Sequence, residues 1–166
     1  AVDRLDIEPM DVNVQVDSFA RVGDGAVFGA RELWQTRGAA GDARVLKDIW
    51  AGGDSKPQNL TSVGDRLVFT ADTPATGREV WGTDGSSAGT VLLQDVRPGA
   101  GSGCASRFVT TRHSAFFDES DGDVRGLWVT GGTPESTRQV ALPPGAIEVD
   151  HIVGSAADQV TVLADT

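Results

Sequence analysis

The sequence predicts an all-β protein, a β-propeller or partial propeller of about four 47-residue, four-stranded repeats with the first incomplete. Three observations predict it. RELWQT at Arg31 to Thr36, REVWGT at Arg78 to Thr83 and RGLWVT at Arg125 to Thr130 follow one another at a spacing of 47 residues. Trp34, Trp81 and Trp128 keep that spacing, and so do Thr36, Thr83 and Thr130. Each period holds four short apolar runs fenced by Gly, Asp, Asn or Pro, with no sustained helical periodicity between them. A repeat of about 20 to 50 residues marks solenoids, propellers or arrays, and four short strands per period is the arithmetic of a propeller blade.

The elements follow in order. LDIEP at Leu5 to Pro9 matches KDIWA at Lys47 to Ala51, and VGDGAVFGA at Val22 to Ala30 matches VGDRLVFTA at Val63 to Ala71. The chain therefore enters partway through a repeat. The shift there is 42 and 41 residues, the shortfall falling where GARE stands in place of TADTPATGRE. One domain, 1–166, divides into a partial unit 1–30 and the units 31–77, 78–124 and 125–166. The first full unit gives ELWQT, ARVLKDI, NLTSVG and RLVFTA. The second gives EVWGT, TVLLQDV, SRFVTT and HSAFFDE, and the third GLWVT, TRQVAL, DHIVGS and QVTVLAD. Runs of this length, rich in β-branched and aromatic residues and bounded by turn formers, read as strands. Three strands in the partial unit bring the expected total to 15.

The partial unit lacks its ELW strand, so an open sheet edge is expected there. An open edge is a template for pairing with another chain. The partner expected is a second copy or another chain that completes the ring, giving a homo-oligomer. A three-stranded blade, a longer array of which this is a piece, or coverage by AVDRL are the alternatives.

Composition limits the function classes. A chain of 166 residues with 39% apolar and 23% charged residues can build a packed core. Its 14 basic and 24 acidic residues give a net charge of −10 without a basic cluster, which argues against nucleic acid and anionic membrane surfaces. No apolar stretch approaches the roughly 20 residues of a membrane span. The single cysteine, Cys104, excludes an internal disulfide. The opening AVDRLDIEP carries neither an initiator Met nor a signal peptide, as in a processed secreted protein or an excised piece.

The segment REVWGTDGSSAGTVLLQDVRPGAGS, Arg78 to Ser102, closely resembles the repeat unit of the ELWxxDGT repeat proteins. The resemblance runs over nearly the whole chain. It implies bacterial secreted or cell-surface proteins, hyalin-like and adhesion-associated, with a propeller-like fold, and it brings no catalytic residues. The first copy departs from it with Arg37-Gly38 where the second has Asp84-Gly85, and the third with Gly131-Gly132. The third copy also replaces the DI pair by Ala141-Leu142.

Comparison of the copies separates scaffold from site. Trp34, Trp81 and Trp128 recur, as do Phe28, Phe69 and Phe116 with Leu163, so both columns are expected to pack between blades. Asp84-Gly85 reads as a turn. Asp6, Asp48 and Asp95 are expected to accept backbone N–H groups at blade corners. Trp50 does not recur, its counterparts being Arg97 and Pro144. With Asp54, Lys56 and Asn59 in the same Gly-rich loop it forms a candidate platform for a sugar ring, and Arg97 is the candidate at the equivalent position; packing or an oligomer contact is the other reading of Trp50. DESDGDVRG, Asp118 to Gly126, offers Asp118, Asp121 and Asp123 as ligands for Ca²⁺, the one cofactor suggested, though its spacing is not that of an EF-hand.

Catalytic patterns are thin. His113 and His151 are isolated, and there is no nucleophile elbow. His113 is expected to face solvent from a strand position matching Arg66. Cys104 has no evident base. The expected function is an extracellular, non-enzymatic binding or adhesion module that recognises a glycan or a surface protein through its loops. A self-assembling structural unit completed by a second chain is the alternative, and a carboxylate-based hydrolase a minor one.

Overall fold

Four antiparallel sheets follow one another along the chain. The structure, a computed structural model, describes residues 18–101, 108–118, 126–141, 148–156 and 159–165. The first sheet comprises β1 (Phe19–Val22), β2 (Gly25–Gly29), β3 (Leu33–Thr36) and β4 (Arg44–Lys47) in that order. The second comprises β5 (Gln58–Val63), β6 (Arg66–Thr73), β7 (Gly77–Thr83) and β8 (Val91–Gln94), again in chain order. The third repeats the pattern with β9 (Val109–Thr110), β10 (Ala115–Asp118), β11 (Leu127–Thr130) and β12 (Arg138–Gln139). β13 (Glu148–Ala156) and β14 (Gln159–Asp165) form a two-stranded hairpin. Among the described residues the only helical element is a single 3₁₀ turn, Pro134–Ser136.

The twelve strands from β3 onward coincide with the apolar runs that the repeat marks, and the all-β expectation holds. The expected strand at LDIEP, with Asp6, lies outside the described residues. The sheets are out of phase with the sequence repeat. Each full sheet takes its first two strands from the end of one unit and its last two from the start of the next. One expectation is corrected as a result. β2 pairs with β3 from Ala26↔Thr36 to Gly29↔Leu33, so the strands of the partial unit already have the following ELW strand beside them. The first sheet is complete and has no vacant ELW position. The shortened hairpin explains the shift of 41 residues: β2 and β3 turn through Ala30–Glu32, whereas β6 and β7 continue pairing out to Thr73↔Gly77.

The core lies between successive sheets. On one face of the second sheet Leu67, Phe69 and Ala71 pack with Val27, Leu33 and Leu46 of the first. On the other face Val63, Val68, Val80 and Leu93 pack with Ala115 and Phe117 of the third. Side chains alternate across a strand, so β6 supplies both cores, which is why LVFTA reads as an unbroken apolar run. A fully buried Phe such as Phe69 contributes roughly 1.5–3 kcal/mol.

A bulge recurs at the tryptophan. Leu33↔Lys47 is followed by Trp34↔Val45, and Val80↔Gln94 by Trp81↔Leu92. The extra residues, Leu46 and Leu93, enter the two cores. A bulge puts two residues of one strand opposite one of the other and re-aims the extra side chain.

The spacing from sheet to sheet also repeats. A Cβ on Gly85, in the turn of the second sheet, would stand 2.5 Å from Val22 Cγ1 in the first hairpin. A Cβ on Gly132, in the same turn of the third sheet, would stand 3.1 Å from Arg66 Cβ in the equivalent hairpin of the second.

Phe28 and Phe69 are buried as the recurring column predicts, and they pair across the strands with Trp34 and Trp81, but the third member of the column is corrected. Trp128 faces Phe117, which is fully buried and stacked on it at 6.2 Å, rather than Phe116. The β9–β10 strands sit one residue later than the 47-residue period places them. The same offset moves His113 off a strand and into the turn before β10, where it is exposed.

Candidate functional site

The chain passes from the first sheet to the second through residues 48–57, the loop that carries Trp50, Asp54 and Lys56. Two charged residues of the repeated motif hold this loop. Glu32, at the start of the ELW strand, accepts hydrogen bonds from Ile49 N at 2.7 Å, Ser55 N at 3.1 Å and Ser55 Oγ at 2.6 Å. Arg78, on β7, donates to the Lys56 carbonyl at 3.2 Å and to Gln58 Oε1 at 2.8 Å, and pairs with Asp72 at 3.1 Å. The backbone adds Lys56 N to Arg31 O at 3.2 Å and Asp72 N to Ser55 O at 2.7 Å. Ser55 and Pro57 are buried while Lys56 between them is exposed. The loop is thus fixed at both ends.

The second joint is built alike, with the fully buried Glu79 accepting from Val96 N at 3.1 Å. This corrects the role expected of Asp48 and Asp95. The corner acceptor is the Glu of the ELW strand, and Asp95 Oδ1 is buried without a partner. Each glutamate reaches from the strand into the corner and takes up its backbone N–H groups. The signal was present in the sequence as an acidic residue at one position of two apolar strands, Glu32 and Glu79, 47 residues apart.

Trp50 is half-buried in a tight turn closed by Gly53 N to Trp50 O at 2.8 Å. Its indole lies over Gly53 so closely that any Cβ there would collide with the ring. Asp54 has Oδ1 buried without a partner and Oδ2 3.9 Å from Arg31 Nε. Lys56 is exposed, with φ of 42°. Asn59 is the odd member: it lies on β5 with φ of 59°, and its side chain reaches Thr70 Oγ1 at 3.4 Å. Trp50, Asp54 and Lys56 therefore share one loop, and Asn59 belongs to the neighbouring sheet. Arg97, exposed in the second joint, lies over Gly101 in the same manner as Trp50 over Gly53.

The turn after each ELW strand is a second recurring device. Thr36, Thr83 and Thr130 accept through Oγ1 from Gly38 N at 2.9 Å, Gly85 N at 3.0 Å and Gly132 N at 3.0 Å. Those three glycines take φ of 91°, 87° and 89°, the left-handed region that a glycine adopts without strain. Thr83 then meets Thr90 at 2.8 Å, and Thr130 meets Thr137 at 2.7 Å. In the first sheet the corresponding position is Ala43, and the adjacent Asp42 accepts the Thr36 hydroxyl instead. Asp42 also accepts from Arg37 N at 2.9 Å, and the Thr36 hydroxyl is the main reason its carboxyl is held below the ordinary range. Asp84 serves the turn too. It accepts from Ser86 Oγ at 2.7 Å and Ser86 N at 2.9 Å, and these bonds, with the Arg66 guanidinium, lower its pKa.

Of the Ca²⁺ candidates, Asp118 is a half-buried residue of β10, and Asp121 and Asp123 lie outside the described residues. Cys104 and Pro144 lie outside them as well, and of His151 and Leu163 only the backbone, in β13 and β14, is placed. No group of three or more His, Cys, Asp and Glu side chains gathers in metal-binding geometry among the described residues. No helix among them is long and apolar enough to cross a membrane. No protein-family model matches the chain, and neither does any curated protein.

Proposed function

We propose that this chain is a propeller-like repeat module, of the kind its resemblance to the ELWxxDGT repeat proteins implies, acting as an extracellular binding or adhesion module that recognises a glycan through its joint loops. One observation carries the reading. The loop with the non-recurring Trp50 is clamped at both ends by Glu32 and Arg78. A loop ordered before binding does not spend binding free energy on becoming ordered. The half-buried indole offers an apolar face for the C–H side of a pyranose, and Asp54 and Lys56 offer an acceptor and a donor for its hydroxyls.

A glycan array with the intact chain tests the proposal. Binding to a defined glycan class is expected, and Trp50→Ala is expected to weaken it at least tenfold while leaving the melting temperature within about 2 °C. Binding that survives Trp50→Ala, or a variant that melts far earlier, would assign Trp50 to packing and overturn the reading.

A further inference from the structure

The hairpins of the first and second sheets differ at one arginine. Arg78 stands on β7 opposite Asp72 and pairs with it at 3.1 Å, its side chain 21% exposed. Its counterpart in the first sheet is Arg31, where the hairpin is shorter. β2 and β3 stop pairing at Gly29↔Leu33, so Arg31 stands in the turn itself, with no cross-strand aspartate. Its side chain is 69% exposed, and its charged partner among the described residues is Asp54, whose Oδ2 lies 3.9 Å from Arg31 Nε. That is beyond hydrogen-bond reach, and an exposed pair at such a distance holds its members weakly.

A second cation lies beside it. Lys56 N donates to Arg31 O at 3.2 Å, so the two residues spring from adjoining backbone. Lys56 is exposed between buried Ser55 and Pro57, and its φ of 42° is left-handed. Among the described residues that region is otherwise taken by nine glycines and Asn59. Glycine enters it freely, and asparagine is the usual exception. A lysine there stores strain, and such strain gathers at ligand sites.

We infer that Arg31 and Lys56 form a carboxylate subsite beside Trp50, so that the ligand of this loop is an acidic glycan containing uronic acid. The inference rests on the reading of the Trp50 loop as a glycan platform and names the class of glycan. The order of the groups carries it. The indole lies against Gly53, Asp54 follows Gly53, and the Asp54 carboxylate comes within 3.9 Å of the Arg31 guanidinium. Aromatic face, acceptor and cations thus follow one another within reach of a short oligosaccharide. A guanidinium meets a carboxylate with two parallel hydrogen bonds, a match that a lone hydroxyl does not offer, and Lys56 adds a point charge. The acidic groups of the loop do not cancel the pair. Glu32 accepts from Ile49 and Ser55, Asp54 is one carboxylate beside two cations, and the exposed Asp48 stands at the other end of the loop sequence. A net charge of −10 disfavours an acidic ligand overall, so a preference for one identifies a local site.

The test is calorimetric titration of the intact chain with oligouronates of gluco, manno and galacto configuration, each beside its carboxyl-reduced, neutral form. At least one oligouronate is expected to bind roughly tenfold or more tightly than its reduced form, the scale of a hydrogen bond to a charged group. Arg31→Gln and Lys56→Gly, on different elements, are each expected to bring that ratio close to one. Lys56→Gly is expected to melt no earlier than the parent chain, because glycine takes the left-handed conformation without strain. Equal, Trp50-dependent binding of the acidic and reduced forms would overturn the inference and leave the glycan reading standing. Binding of neither form would overturn it too, and a blank glycan array besides would remove the reading beneath it. A preference that persists in both folded variants would also overturn it.

Discussion

A one-residue offset decides which phenylalanine holds the third core. The period of 47 puts Phe116 in the packing column, but the structure places Phe117 there, buried and stacked on the Trp128 indole. In a strand a shift of one residue moves a side chain to the other face. Phe117→Ala is therefore expected to cost about 3–5 kcal/mol in denaturant unfolding, and Phe116→Ala less than about half of that. The reverse order would restore the strict period. The tryptophan column and two of the three phenylalanines were legible because side chains that fill equivalent spaces repeat at one spacing. The third was not, because a compensating insertion and deletion on either side of the β9–β10 hairpin leave the distance between ELW motifs unchanged. The Asp42 substitution for a missing threonine was illegible for another reason. It preserves a hydrogen bond to Thr36 from a neighbouring position and with a different residue type, which pattern matching does not register.

The strands were readable one by one because each is short, apolar and fenced by turn formers. Their grouping into sheets was not, since a repeat in sequence can be cut at any strand and only the pairing fixes where a sheet begins. The joints between sheets were read with the wrong acid. Glu32 and Glu79 stand inside ELW and EVW, where an acidic residue on an otherwise apolar strand looks like part of the solvent face. Hydrogen bonds to backbone N–H groups instead commit each carboxylate to the joint that follows. Glu32→Gln places an amide among the N–H groups of Ile49 and Ser55, and a buried donor left unmatched costs about 1–3 kcal/mol. The Ile49 and Ser55 amides are expected to exchange with deuterium roughly tenfold faster in this variant. The Val96 amide, held by Glu79 in the next joint, is expected to keep its protection. Unchanged exchange at Ile49 and Ser55 would remove Glu32 from its role in the clamp.

At the level of the whole molecule, the order of the sheets follows from which faces are apolar. The second sheet is apolar on both faces and lies between its neighbours. The candidate loop depends on this order, because the two residues that clamp it, Glu32 and Arg78, belong to different sheets. The central claim is that the Phe–Trp rows of the second and third sheets are each covered by the sheet before it. Nuclear Overhauser contacts between assigned aromatic and methyl groups of the folded chain measure that most directly. The expected result is a Phe69 ring close to the methyls of Leu33 and Leu46 in the first sheet, and a Phe117 ring close to those of Val80 and Leu93 in the second. Contacts from both rings to methyls of their own sheets alone would contradict it.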